Sequence, residues 1–215
     1  MNIQREDITG LVLAGGQGQR MAGLDKGWLM LDGQPLITHA LRRLAPQAAK
    51  VLISANRELE RYRAMGHEVV TDDAATLGTG PLAGVLAAMQ VCRTPWLVTV
   101  PCDSPHFPLN LVTKLTEAIA TANPAPRAAT VVTPHSPSHP THPVFCLLHL
   151  STQTELSVYL ESGRRSMQGW LAQVQALQVP FENACAFANI NTPQDLEQAQ
   201  TTASGNAEKT RKKHP

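Results

Sequence analysis

Three things are scarce or absent in this chain, and each removes a class of function. No Cys-x-x-Cys pair occurs, and the four cysteines, Cys92, Cys102, Cys146 and Cys185, are widely spaced. That argues against a zinc site or a disulfide frame and for reduced thiols in a cytoplasmic setting. Cys102 reads as a small buried filler at a strand end, or else as a reactive thiol beside Asp103. Charge of one sign is not in excess, since 18 Lys and Arg against 17 Asp and Glu leave a net charge of +1. Without a global basic field nucleic acid is not an expected partner, and anions must be bound by local placement. No apolar run approaches the ~20 residues of a membrane span. The residues from Met1 to Asp7 are polar, so neither a leader nor a membrane partner is expected.

What the chain does have is a glycine loop behind a strand. The apolar run Ile8 to Leu13 breaks into Ala14-Gly15-Gly16-Gln17-Gly18-Gln19-Arg20-Met21, followed by Asp25-Lys26-Gly27. Glycines let a backbone approach a bulky anion, and Arg20 and Lys26 add two cations. The set describes a cradle for nucleotide phosphates. A Walker A loop is excluded, because Gly27 stands where its hydroxyl residue belongs. A dinucleotide fingerprint fails at Met21, the place of its third glycine.

Apolar runs alternate with helix-like segments, the pattern of a parallel α/β sheet. Strands are predicted at 8–13, 51–54, 67–71, 96–100, 128–132, 144–150 and 187–190. Helices are predicted at 35–44, 58–64, 81–92, 109–122, 151–160, 166–174 and 193–199, the last capped by Thr192. Four prolines between Pro134 and Pro143 argue against helix or strand interior there. The fold class expected is α/β: a three-layer sandwich around a mostly parallel twisted sheet. Right-handed crossovers bring the loops at 15–26, 72–80 and 101–105 to one edge. The 215 residues suit one domain over 1–200. The stretch 201–215, which includes Arg211-Lys212-Lys213, is expected to be a disordered polar tail.

Several residues stand where chemistry would need them. Asp103 follows a strand on the same edge as the glycine loop, suited to hold Mg²⁺ against phosphate oxygens, or else to cap the helix that follows. Asn189 and Asn191 would share one face of a strand and suit a pterin edge of alternating donors and acceptors; the alternative is a capped turn. His135, His139 and His142 lack an evident fourth ligand for zinc, and the loop is rich in proline. Arg164 and Arg165 are either solvated or set to meet the anionic half of a second substrate.

The order of motifs carries a resemblance. Leu13-Ala14-Gly15-Gly16, Arg20-Met21 and Asp25-Lys26-Gly27 are followed by Asn56-Arg57, Gly80-Pro81-Leu82-Ala83-Gly84 and Pro101-Cys102-Asp103-x-Pro105. Then come His142-Pro143, Gly163-Arg164-Arg165 and Asn189-Ile190-Asn191-Thr192-Pro193. From Ile8 to Gln200 the chain resembles the molybdenum cofactor guanylyltransferases, the MobA family, with a Rossmann-like nucleotidyltransferase fold. The resemblance implies transfer of GMP from GTP to molybdopterin with release of pyrophosphate. It implies Mg²⁺ on Asp103, and GTP held by Leu13, Ala14, Gly15, Lys26, Asn56 and Asp72. Gly16 and Arg20 are added to that set from the loop itself. Asp73 is adjacent and contends with Asp72. The N-terminal part is expected to bind GTP and the C-terminal part, with Asn189 and Asn191, the molybdopterin. Lys26, Asp103 and Arg20 are the catalytic candidates. Other molybdenum-cofactor biosynthesis proteins and recipient molybdoenzymes are the implied protein partners. Two alternatives remain: a relative using CTP or a sugar phosphate, and a non-catalytic carrier of finished cofactor. Cytidylyltransferases of this kind typically carry Leu-Ala-Ala-Gly, whereas here Gly15 follows Ala14.

Overall fold

The computed structural model describes residues 2–15, 25–74, 76–136, 140–192 and 195–196. In chain order its elements are β1 (Ile8–Leu13), β2 (Met30–Leu31), β3 (Gln34–Pro35), α1 (Leu36–Leu44), β4 (Lys50–Ser54), α2 (Leu59–Arg63) and β5 (Glu68–Val70). They continue with α3 (Pro81–Val91), β6 (Trp96–Pro101), α4 (Leu111–Thr121), β7 (Ala128–Val132), β8 (Thr141–His149), α5 (Gln153–Glu161), α6 (Met167–Gln173) and β9 (Leu177–Pro180). Among the described residues no helix is long and apolar enough to cross a membrane.

The main sheet runs β5-β4-β1-β6-β8-β7-β9. β5, β4, β1 and β6 are mutually parallel, as are β7 and β9; β8 runs antiparallel to both β6 and β7. The central strands are near-continuous apolar runs because both faces are covered. One face buries Val12, Ile53, Val98 and Val100 with α1, α4 and Tyr62 of α2. The other buries Leu11, Leu52 and Leu97 with α3, α5 and α6. This is the three-layer α/β sandwich that the alternating pattern predicts.

Three local expectations are corrected. The segment 187–190 is not a strand. A 3-10 turn over Ala184–Phe187 runs into it, with Ala188 N donating to Cys185 O at 3.3 Å and Ile190 N to Asp103 O at 2.7 Å. The seventh strand is β9, a four-residue segment too short to show a period. Second, β8 begins at Thr141 and so includes Pro143. The sheet tolerates this proline because the β7–β8 register jumps, Thr130 facing Cys146 while Val131 faces His142. Pro has no N–H to give to a ladder, so pairing lapses there. The hydroxyl of Thr99 donates to the Val144 carbonyl, and that of Thr130 to the Phe145 carbonyl, so the lapse leaves neither carbonyl bare. Third, a hairpin of β2 and β3 precedes α1. Its Asp32-Gly33 turn has φ of +49° and +73°, the Asp-Gly signal of a primed turn.

Candidate active site between two clefts

Register places the site. Leu13, the last residue of β1, lies opposite Ser54 at the end of β4 and Pro101 at the end of β6. Three strands therefore stop on one line, at the carboxyl edge where open α/β sheets bind ligands. The ladder continues one step beyond, Ala14 N donating to Ser54 O (2.8 Å) and Cys102 N to Leu13 O (3.0 Å). It thus fixes Ala14-Gly15, Ala55-Asn56 and Cys102-Asp103 side by side.

Asn56 and Asp72 form a reciprocal pair. Asn56 Nδ2 donates to Asp72 Oδ2 at 2.7 Å, and Asp72 N donates to Asn56 Oδ1 at 2.9 Å. Gly78 N adds a longer bond to the same carboxylate oxygen. Asp72 lines the cleft at this edge, whereas the Asp73 carbonyl closes a turn by accepting from Thr76 N. A Cβ on Gly15 would stand 3.5 Å from Asn56 Nδ2, an ordinary contact. The protein itself therefore does not demand glycine there. Opposite, α3 starts at Gly80 (φ +104°) and Pro81 and turns its positive end toward the cleft. Gly84 lets α3 approach: a Cβ there would lie 2.2 Å from Ser54 Oγ.

Lys26 stands at the start of a 3-10 turn over Lys26–Trp28, capped by the Asp25 side chain. Its Nζ donates to Asp103 Oδ2 at 3.1 Å and to Asn191 Oδ1 at 2.5 Å. Asp103 is 13% exposed at its side chain and Lys26 28%. Asn189 Oδ1 accepts from the buried Ser104 hydroxyl at 2.5 Å. Asp195 Oδ2 accepts from Asn191 N and Thr192 N, and Asp195 N donates back to Thr192 Oγ1. This capping arrangement agrees with Thr192 as an N-cap and holds the Asp195 carboxyl below its ordinary value, chiefly through the Asn191 N–H. So Asn189 and Asn191 do converge on the site, but from an anchored loop and not from one face of a strand. Their acceptor oxygens are engaged by Ser104 and Lys26, which turns their amide nitrogens into the available groups.

Two clefts meet here. The first, about 420 Å³, is bounded by Leu13, Ala14, Gly15, Lys26, Asp72, Gly80, Pro81 and Asp103. The second, about 520 Å³, is bounded by His142, Pro143, Phe145, Cys185, Phe187, Asn191 and Asp195. Pro101, Val144 and Asn189 line both. The second cleft has an aromatic wall: His142 lies 5.1 Å from Phe187, and Phe187 packs edge-on to Phe145 at 5.0 Å. His142 Nε2 bonds the Thr133 hydroxyl.

Other candidates fall elsewhere. His135 pairs with Glu182 at 3.5 Å. Among the described residues no group of three His, Cys, Asp or Glu could hold a metal. Arg164 stacks over Tyr159 and bonds Gln173, and Arg165 donates to the carbonyls of Leu160 and Arg164, so both tie down the corner between α5 and α6. The Cys102 thiol is buried and pushed well up, so it stays protonated. Gly16, Arg20, His139 and the tail 201–215 lie outside the described residues. Sequence reasoning missed Tyr62 and Ser104, which bond Asp25 and Asn189, because one aromatic or one serine in a helix or loop carries no pattern. Asp195 was legible in Thr192-x-x-Asp195, the spacing of a capping box.

A single Asp beside a cleft of about 420 Å³, without an acidic cage among the described residues, suits Mg²⁺. That ion takes one or two carboxylates and completes its shell with waters and substrate phosphates.

Comparison with known proteins gives consistent findings. The MobA-like NTP transferase domain family matches residues 10–177. A molybdenum cofactor guanylyltransferase from Cupriavidus metallidurans is 47% identical over 194 residues, 90% of this chain and 95% of that protein. One from Ralstonia nicotianae is 44% identical over 199 residues, 91% and 97% of the two chains. Among solved structures, molybdopterin-guanine dinucleotide biosynthesis protein A from Archaeoglobus fulgidus superimposes with a TM-score of 0.73. It is 22% identical and covers 92% of this chain and 99% of that one, a likeness of fold.

Proposed function

The chain belongs to the MobA-like NTP transferase family, and from that premise we propose that it transfers GMP from GTP to molybdopterin. The products are pyrophosphate and the guanine dinucleotide form of the molybdenum cofactor. The observation that carries this reading is the junction of two clefts at Lys26, Asp103 and Asn191. A transferase joining two substrates needs two sites and one shared point where the reacting atoms meet.

In this reading GTP occupies the first cleft. Ala14 and Gly15 bring backbone against the triphosphate, and α3 turns its positive end toward it. Asn56 presets the Asp72 carboxylate to accept from guanine N–H groups. The C-terminal part binds molybdopterin in the second cleft, between the aromatic wall and the amide nitrogens of Asn189 and Asn191. A terminal phosphate oxygen of molybdopterin attacks the α-phosphorus, forming one P–O bond. The bond to the β-phosphate oxygen breaks, and pyrophosphate takes that electron pair. The nucleophile is already an oxyanion, so no side chain need attack. Catalysis rests on alignment and charge neutralisation. Lys26 supplies a cation at the junction, and Asp103 would hold Mg²⁺, which when bound offsets phosphate charge. Four free cysteines support a reducing, cytoplasmic location, from which product would pass to recipient molybdoenzymes.

The test is turnover with Mg²⁺, molybdopterin and each of the four nucleoside triphosphates, reading pyrophosphate and the dinucleotide. GTP should far exceed CTP and ATP, because a wrong base leaves buried groups unpaired at about 1–3 kcal/mol each. Equal turnover with CTP would overturn the guanine assignment.

A further inference from the structure

We propose that Tyr62 is a positioning residue: through Asp25 it sets the turn that carries Lys26, and so aims the ammonium at the transferring phosphate. The inference rests on the function proposed above and adds to it a residue that touches neither cleft.

Tyr62 is fully buried on α2. Its hydroxyl donates to Asp25 Oδ1 at 2.7 Å. The same oxygen accepts from Gly27 N at 3.0 Å, the bond that closes the Lys26–Trp28 turn. Tyr62 reaches the turn at two further points. The Gly27 backbone rests on it, since a Cβ at Gly27 would sit 2.4 Å from the Tyr62 oxygen. The Trp28 ring lies 4.8 Å from the Tyr62 ring, with the Arg61 guanidinium 3.8 Å above the Trp28 ring. Asp25, Gly27 and Trp28 are thus each held by α2, whereas Lys26 between them is held by the other side of the site, through Asp103 and Asn191. Contacts at three successive points fix a short turn in both translation and rotation. The one residue of the turn left to face the cleft is Lys26. Burial, and then the bond to Asp25, push the Tyr62 phenol well up, so it remains the donor. A purely packing role would need the ring and not the hydroxyl, and it would not need glycine at 27.

The experiment is a double-mutant cycle on the full chain: wild type, Tyr62→Phe, Lys26→Ala and the double variant. Displacements near 1 Å cost up to ~10²-fold in rate. Tyr62→Phe should therefore lower kcat/KM by about 10- to 100-fold, mostly in kcat, with KM for GTP within about threefold. In the Lys26→Ala background the same change should cost less than about twofold, because the group it positions is gone. Equal losses in both backgrounds, or wild-type turnover in Tyr62→Phe, overturn the inference. A second readout needs no substrate: acylation of Lys26 by an amine-reactive reagent, followed by peptide mass spectrometry, should speed up several-fold in Tyr62→Phe, and an unchanged rate also overturns it. If wild type releases no pyrophosphate from GTP with molybdopterin, the functional reading fails while the acylation result still judges the positioning claim. Should Tyr62→Phe not fold, Gly27→Ala presses on the same contact from the other side and must show the same faster acylation of Lys26.

Discussion

Replacing Lys26 by alanine separates a catalytic cation from a surface lysine. In the free protein its Nζ bridges Asp103 Oδ2 and Asn191 Oδ1, at 3.1 and 2.5 Å, with side chains 28% and 13% exposed for Lys26 and Asp103. The pair is partly buried, so removing the ammonium leaves the Asp103 carboxyl short of a partner and should cost about 1–2 kcal/mol of stability. In a chain of this length each kcal/mol is about 2–4 °C in Tm. The effect on turnover should be much larger. A preorganised charge aimed at a centre where negative charge moves to the leaving group is worth about 3–4 kcal/mol in the transition state. Lys26→Ala should therefore lower kcat/KM by about 10²–10³. Lys26→Arg should recover little, because one compact nitrogen makes both bonds and a planar fork on a longer stem cannot. The assay is steady-state pyrophosphate release with GTP varied, beside a thermal melt of each variant. A loss of several degrees in Tm with kcat/KM within about threefold would show the lysine to be structural, and would remove the segment from the mechanism.

Three further outcomes follow from the same geometry. Asp103→Ala should abolish most turnover while the far-ultraviolet circular dichroism stays native; wild-type-like activity at ordinary magnesium would mean that the ligand is another residue. Gly84→Ala drives a Cβ to 2.2 Å from Ser54 Oγ and 3.0 Å from Leu13 Cδ2. Overpacking of about 1–3 kcal/mol should outweigh the gain of about 1 kcal/mol in helix propensity, and calorimetry should find the cost smaller in a Ser54→Ala background. Asp195 has its carboxyl held down by the Asn191 N–H, so the anchor it gives is fully present above its unfolded value, near 3.8, and is lost as pH falls through the lower folded value. The gap in Tm between wild type and Asp195→Asn should therefore be present at neutral pH and shrink in strong acid; a gap independent of pH would sink that account.

The strands that build the site were legible because they are buried on both faces. Ile8–Leu13, Lys50–Ser54 and Trp96–Pro101 read as largely apolar runs, and each was expected within one residue of its observed bounds. The right half of the sheet was harder. β9 has one buried residue in four, and β8 carries a proline that local rules bar from a strand interior. Its presence depends on two threonine hydroxyls from other strands, Thr99 and Thr130, which no window of sequence displays together.

The site divides along the same line. Lys26 and Asp103 were expected in one place, and they meet although 77 positions separate them. Parallel strands joined by right-handed crossovers deliver all their carboxyl ends to one edge, which places Asp103 just after β6, whereas Lys26, well beyond the end of β1, is brought there by the turn that α2 holds. Asn191 has no such guarantee. It arrives on a loop, tied by Ile190 N to the Asp103 carbonyl and by Asn189 to Ser104. A strand rule that set Asn189 and Asn191 on one face therefore brings together two residues that do lie side by side, but by a route the fold does not take. What makes them act together is a shared anchor on the 103–104 turn, which also fixes Asp103. Cutting that anchor should disturb both clefts at once, for the segment that completes the second cleft also holds the lysine of the first.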